Sequence, residues 1–171
     1  TLITDPIWHN ASAGDGFTGG IRQGTIDIPR RISGFMWTWG KNSYGQIGDD
    51  TVVHRSSPVQ IGNFTEWTVL RAGDNHAGSL KDDGTLWMWG NNSYGQLGDE
   101  TNDHRSSPVQ IGTAKTWYQL TCGKNFTVAV KKNGTIWCWG QNSYGNYSWG
   151  QITGTQSELG DESIFNEQNA I

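Results

Sequence analysis

The sequence predicts an all-β fold made of about three repeated units of short strands, and three observations carry that expectation. Whole segments recur with a period of 50 residues, short tryptophan-bearing runs alternate with tight-turn pairs, and both glycine (24 of 171 residues) and tryptophan (10) are abundant. Glycine supplies tight turns and tryptophan supplies large buried area, a combination suited to short-stranded β architectures. No apolar period of the helical kind is sustained anywhere along the chain.

The repeat justifies each element in turn. Trp37, Trp39, Gly40, Asn42, Ser43, Tyr44 and Gly45 return as Trp87, Trp89, Gly90, Asn92, Ser93, Tyr94 and Gly95, and again as Trp137, Trp139, Gly140, Asn142, Ser143, Tyr144 and Gly145. The run from His54 to Gly62 returns unchanged from His104 to Gly112. Trp67, Leu70 and Gly73 match Trp117, Leu120 and Gly123, placing a strand and its terminating turn at one phase. Lys81-Asp82-Asp83-Gly84 and Lys131-Lys132-Asn133-Gly134 end in Asp-Gly and Asn-Gly, pairs that tolerate the positive φ angles of tight hairpins, and Arg31-Ile32-Ser33-Gly34 reads as a weaker copy.

After each hairpin comes an aromatic strand. In the second copy Trp87 and Trp89 share one face while Leu86 and Met88 share the other, so both faces are apolar and the strand is expected between two covering layers. A propeller blade between its neighbours has that environment. Trp37, Trp39, Trp87, Trp89, Trp137 and Trp139 are accordingly read as structural core.

The flanks are less regular. Gly14, Gly16, Gly19 and Gly20 stand where the first unit needs strand-like sequence. Glu158-Leu159-Gly160-Asp161-Glu162-Ser163 resembles Gln96-Leu97-Gly98-Asp99-Glu100-Thr101 but lies 62 residues on, which implies an insertion of about 12 residues in the third copy. The expected organisation is a degenerate first-blade segment over 1–33, regular repeats over 34–145, an insertion loop over 146–157 and the end of the last repeat over 158–171.

Trp-x-Trp-Gly-x-Asn-x-Tyr-Gly-Gln-Leu-Gly, then Arg-Ser-Ser-Pro-Val-Gln-Ile-Gly, Trp-x-x-Leu-x-x-Gly and Asp-Gly-Thr-Leu-Trp, resembles the repeat of the regulator of chromosome condensation family, strongly from Gly34 to Gly145. The resemblance implies four-stranded antiparallel propeller blades, typically seven, serving as a protein-binding platform. The name-giving member is an exchange factor for a small GTPase, and that activity is not carried over: the chain is too short for seven units and shows no evident wedge for a GTPase. Three blades fall below the four to eight of a closed propeller, so an incomplete propeller with apolar outer faces is expected.

No motif points to catalysis. His54 and His104 are repeat equivalents and read as loop braces; His76 becomes Phe126 one period later, so its place accepts an apolar ring; His9 belongs to no nucleophile motif. The pairs Asp49-Asp50 and Asp99-Glu100, with Asp161-Glu162 as a third copy, lack calcium-loop spacing, and their repetition favours structure over a unique acid-base pair. Cys122 and Cys138 have no spaced Cys/His set beside them and read as small buried hydrophobes. The chain is therefore expected to be no enzyme and to bind no metal or cofactor.

A net charge of -4 with scattered basic residues argues against a nucleic-acid partner, and no run approaches a membrane span. The partners expected are proteins or further copies of the chain. Tyr147 and Trp149, aromatic types enriched at binding hot spots, fall in the insertion that breaks the period and are the candidate partner contacts. The reading that follows is a non-catalytic structural or adhesive subunit of a larger assembly, with a virion or cell-surface appendage as its suggested place. A regulatory module for one soluble partner and a carbohydrate-binding module are the alternatives.

Overall fold

The computed structural model describes residues 7–23, 33–142 and 150–152. They form twelve strands: β1 (Trp8–Ala13), β2 (Phe17–Arg22), β3 (Phe35–Gly40), β4 (Arg55–Gln60), β5 (Trp67–Ala72), β6 (His76–Lys81), β7 (Leu86–Gly90), β8 (Arg105–Gln110), β9 (Trp117–Cys122), β10 (Phe126–Lys131), β11 (Ile136–Gly140) and β12 (Gly150–Ile152). Consecutive strands pair antiparallel into three four-stranded sheets, β1-β2-β3-β4, β5-β6-β7-β8 and β9-β10-β11-β12. Among the described residues there is no helix, and the three blades of an incomplete propeller are as the sequence led one to expect.

Each blade is a meander because its turns are built for it. In the second, Asp83 Oδ1 accepts from both the backbone N–H and the hydroxyl of Thr85, pinning the β6–β7 hairpin, and Asn133 does the same for Thr135 in the third. Registers repeat from blade to blade. Trp8 pairs with Arg22, Trp67 with Lys81 and Trp117 with Lys131, each beside a bulge, while Trp39 faces Thr18, Trp89 faces Ala77 and Trp139 faces Thr127. Trp8 is therefore the first blade's counterpart of Trp67 and Trp117, an equivalence the sequence period hid.

Among the described residues the hydrophobic core is two separate layers, one per joint. Phe17, Ile21, Met36, Ile47 and Ile61 of the first blade meet Trp67, Leu70, Ala77 and Trp89 of the second. Leu80, Leu86, Met88, Leu97 and Ile111 of the second meet Trp117, Leu120, Ala129 and Trp139 of the third. Within β7, then, alternate residues serve different joints, which is why both faces of that strand are apolar.

Four expectations change. Gly19 and Gly20 do not interrupt the first blade; they lie inside β2, because a Cβ at Gly19 would stand 2.5 Å from Leu70 Cδ2 and one at Gly20 would stand 2.9 Å from the Trp8 ring. The place of Lys81 belongs to Arg22 at the end of β2, so a longer β2–β3 connection replaces the tight turn; Arg31 and Ile32 of the supposed weaker copy lie outside the described residues. Within the segment expected as an insertion loop, Gly150–Ile152 is strand β12, pairing Trp137 with Gln151 as Trp87 pairs with Gln110. The edge of β11 needs a partner, and this stretch supplies it. The remainder of 146–157 and all of 158–171 lie outside the described residues. The expected boundary at 33/34 also divides the first blade between β2 and β3, since the sequence motif runs across two blades rather than within one.

Candidate functional site

The loop after each aromatic strand is a closed hydrogen-bond knot. Asn42, fully buried, accepts from Ile47 N–H (2.9 Å) and donates through Nδ2 to the Thr51 carbonyl (2.9 Å), the Val53 carbonyl (3.1 Å) and Asp49 Oδ1 (3.3 Å). Its own N–H donates to His54 Nδ1 at 2.9 Å, and Asp49 also takes the Thr51 hydroxyl (2.7 Å) and the Arg55 guanidinium. The second blade repeats the arrangement with Asn92, Leu97, Asp99, Thr101, His104 and Arg105. Partial burial pushes the Asp49 and Asp99 carboxyls up, but the threonine hydroxyl and arginine beside each outweigh it and hold both below the usual range.

The adjacent carboxylate works elsewhere. Asp50, at φ 62°, donates its N–H to the Ser106 carbonyl (2.8 Å) and accepts from the Ser106 hydroxyl (3.2 Å), tying the first blade's loop to the second blade's outer strand. Glu100 repeats the positive φ. In the first pair the two members thus point into different structures and do not converge on a shared site, and the described residues contain no cluster of three metal-ligating side chains.

Each joint between blades is closed by a tryptophan. Trp89 Nε1 donates to the Gln46 carbonyl at 3.0 Å and Trp139 Nε1 to the Gln96 carbonyl at 2.9 Å. The indoles fit because the loops pass them at Gly48 and Gly98, where a Cβ would lie 2.8 Å from the indole nitrogen. At the second joint the Thr127 hydroxyl also donates to the Gln96 carbonyl (2.8 Å), so its oxygen is left to accept from His76 Nε2–H at 3.0 Å. That fixes the tautomer: His76 Nδ1 carries no proton and has no partner in the buried interior. Burial holds the His76 imidazole neutral, with its pKa lowered to about 4.

The six tryptophans expected as one core set divide into three environments. Trp89 and Trp139 are fully buried, each contributing about 4 to 6 kcal/mol gross for the area such a ring covers. Trp37, Trp87 and Trp137 are half-buried because they wall a cation site that stays open to water. Lys81 Nζ lies 4.4 Å from the Trp87 ring centre, 4.8 Å from Trp67 and 3.7 Å from Phe64, and Lys131 Nζ lies 4.1 Å from Trp137 and 4.8 Å from Trp117. In the first blade the Arg22 guanidinium stands 6.0 Å over Trp37. Trp39 is half-buried for a different reason: it faces away from the other two described blades, and its indole nitrogen has no hydrogen-bond partner among the described residues. Tyr147 and Trp149 lie outside the described residues.

Apolar side chains are exposed in the loops, as at Val52, Val53 and Phe64, but at the two ends of the array they stand where the repeat equivalents are enclosed. Trp8 is 47% exposed, whereas its equivalents Trp67 and Trp117 are 1% and 5% exposed. At the other end Ile136 is 36% exposed, whereas its equivalents Met36 and Leu86 are fully enclosed. A count of three repeats leads one to expect such faces in general, but Trp8 itself lacks the surrounding motif that marks the other tryptophans.

Comparison with known proteins agrees with this geometry. The sequence model of the regulator of chromosome condensation (RCC1) repeat matches residues 27–80 and 83–130, and a second model of the same repeat matches residues 117–146. Against the sequences of curated proteins there is no significant match. Among solved structures, Prp20p from Saccharomyces cerevisiae superposes with a TM-score of 0.69 at 14% identity, covering 98% of this chain and 37% of that one. Yeast RCC1 (Prp20) bound to Kap60 gives 0.64 at 18% identity, covering 79% and 32%. Human WBSCR16 gives 0.62 at 20% identity, covering 84% and 51%. The chain spans about a third to a half of these structures. By its repeat sequence, with three blades of matching fold, the chain belongs to the regulator of chromosome condensation repeat family.

Proposed function

We propose that the chain is a non-catalytic protein-binding module that acts as a structural subunit of a larger assembly. The observation that carries this reading is the exposure of Trp8 and Ile136 at places whose repeat equivalents are enclosed between blades. Apolar surface of that kind marks an association face. The ionisable groups of the loop knots are consumed in holding the loops, leaving binding rather than chemistry as the property this framework offers. Proteins as the partner class fit the structural relatives, among them yeast RCC1 bound to Kap60 and Prp20p with its binding to Gsp1p and histones.

Tyr147 and Trp149 remain the proposed contacts for a partner distinct from the blade faces, and the suggested place, a virion or surface appendage, rests on the polar, lysine-poor composition. The deciding measurement is the native size of the chain by light scattering, from its source and after purification. A particle larger than one chain is expected. A stable, isolated monomer in both preparations removes the assembly reading. Replacing Tyr147 and Trp149 together with serine should leave the melting temperature unchanged and weaken incorporation; unchanged incorporation takes those two residues out of the site.

A further inference from the structure

The two internal joints share a size rule. At the first, Leu70 of the second blade lies over Gly19 of the first, close enough that a Cβ on Gly19 would be 2.5 Å from Leu70 Cδ2. At the second, Leu120 of the third blade lies over Gly78 of the second, where the same construction gives 2.8 Å. Each joint is thus a large residue on the rear face of one blade set against a glycine on the forward face of the blade before it.

The free faces reverse the sizes. Register places Ala11, opposite Gly20, at the position of Leu70, opposite Ser79, and it places Val128, opposite Cys138, at the position of Gly78, opposite Met88. The rear face of the first blade therefore offers a small residue where the internal joints offer leucine, and the forward face of the third offers valine where they offer glycine. Ala11 is exposed and Val128 half-buried. A blade obeying the internal rule would leave a void over Ala11 and clash with Val128. These two faces are complementary to each other.

We infer that the chain associates with a second copy of itself head to tail, the rear face of one copy's first blade packing on the forward face of the other copy's third blade. This deepens the assembly reading and rests on it. In the joint, Trp8, Ala11 and Trp39 of one copy meet Val128 and Ile136 of the other. Thr18 and Trp39 sit side by side as Thr127 and Trp139 do, with hydroxyl and indole N–H placed to take one carbonyl, as that pair takes Gln96. Four strands of up to six residues give a face of about 20 Å by about 19 Å, about 400 Å². A pair joined at both ends buries about 800 Å² per copy, the size of a stable specific interface, and contains six blades, within the range of closed propellers.

The test reads oligomeric state by light scattering at micromolar concentration, with circular dichroism as the control for folding. Wild type is expected to be larger than a monomer, Ala11→Leu and Ile136→Asp are each expected to lose the oligomer, and Ala11→Leu with Val128→Gly is expected to regain it. Both single substitutions fall on exposed side chains, so the blades should stay folded. Should glycine weaken β10, the pair Ala11→Val and Val128→Ala makes the same exchange within ordinary strand residues. The inference is overturned by a monomeric wild type, by an Ala11→Leu protein that associates as well as or better than wild type, or by folded double variants that remain monomeric. A purified monomer that nevertheless sits in a larger particle in its native source would overturn the self-association and leave the assembly reading standing; a monomer in both would remove the two together.

Discussion

Replacing His76 by phenylalanine should make the protein less sensitive to mild acid without disturbing its fold. Phe17 and Phe126 occupy the same place in the other blades, each ring lying beside a glycine (Gly14, Gly123) as His76 lies beside Gly73, so the ring shape is already accommodated. The hydrogen bond lost is minor, because the Thr127 hydroxyl keeps its bond to the Gln96 carbonyl. The pH effect is larger. Folded, His76 titrates near 4; unfolded, it titrates at its ordinary value of 6.5. Above pH 6.5 both states are neutral and nothing depends on this group. As pH falls from 6.5 toward 4 the unfolded chain takes up a proton that the folded chain refuses, so stability is lost across that window. Between neutrality and about pH 4.5 the loss is about 2.5 kcal/mol, at about 1.36 kcal/mol per unit. Urea titrations followed by tryptophan fluorescence at the two pH values should show that loss in wild type and a slope smaller by that amount in His76→Phe. Asp49 and Asp99, held below the usual carboxylate range, lose their contribution at lower pH and so do not obscure the comparison. Equal pH dependence in the two proteins would refute the assignment of a buried neutral imidazole at the second joint.

Other perturbations follow from the same joints. Trp89→Ala should cost about 3 to 5 kcal/mol in urea unfolding, since the ring is enclosed and its N–H bonds Gln46; Trp87→Ala, at the open edge of the lysine site, should cost distinctly less, and the reverse order would contradict the two environments. Gly48→Ala places a Cβ 2.8 Å from the Trp89 nitrogen at φ 82° and should lower stability by about 2 kcal/mol or more; a neutral result in thermal unfolding would mean that the loop moves freely past the indole. Asn92→Ala removes the hub of the second knot, leaving Leu97 N–H and the Thr101 carbonyl without their partner, and a loss of about 2 kcal/mol or more is expected. Hydrogen exchange at Leu97 provides the local check, protection unchanged in the variant being the refuting result.

How much of this the sequence carried depends on the distance over which each feature is decided. The period, the strands and the turns are properties of adjacent residues: an Asp-Gly or Asn-Gly pair closes its own hairpin, and the alternation Leu86-Trp87-Met88-Trp89 announces two covered faces wherever the strand lies. His54 and His104 could be read as loop braces because each repeats with its whole neighbourhood. The glycines of β2 could not be read correctly, since Gly19 is required by Leu70, a residue of the next blade. Trp8 was missed because its equivalence to Trp67 rests on pairing with Arg22 across a sheet, not on spacing along the chain. The different fates of Trp87 and Trp89 were equally hidden: both belong to one motif and one strand face, yet one walls a lysine that needs water and the other seals a joint against the preceding loop. By itself, then, the sequence determined the repeating unit and its strand pairing, because those interactions close within about 50 residues. Only the tertiary structure decided which tryptophans are enclosed, why glycine stands in a strand and where the array is left open, because burial at each of those places is conferred by the neighbouring blade and is absent where no neighbour stands.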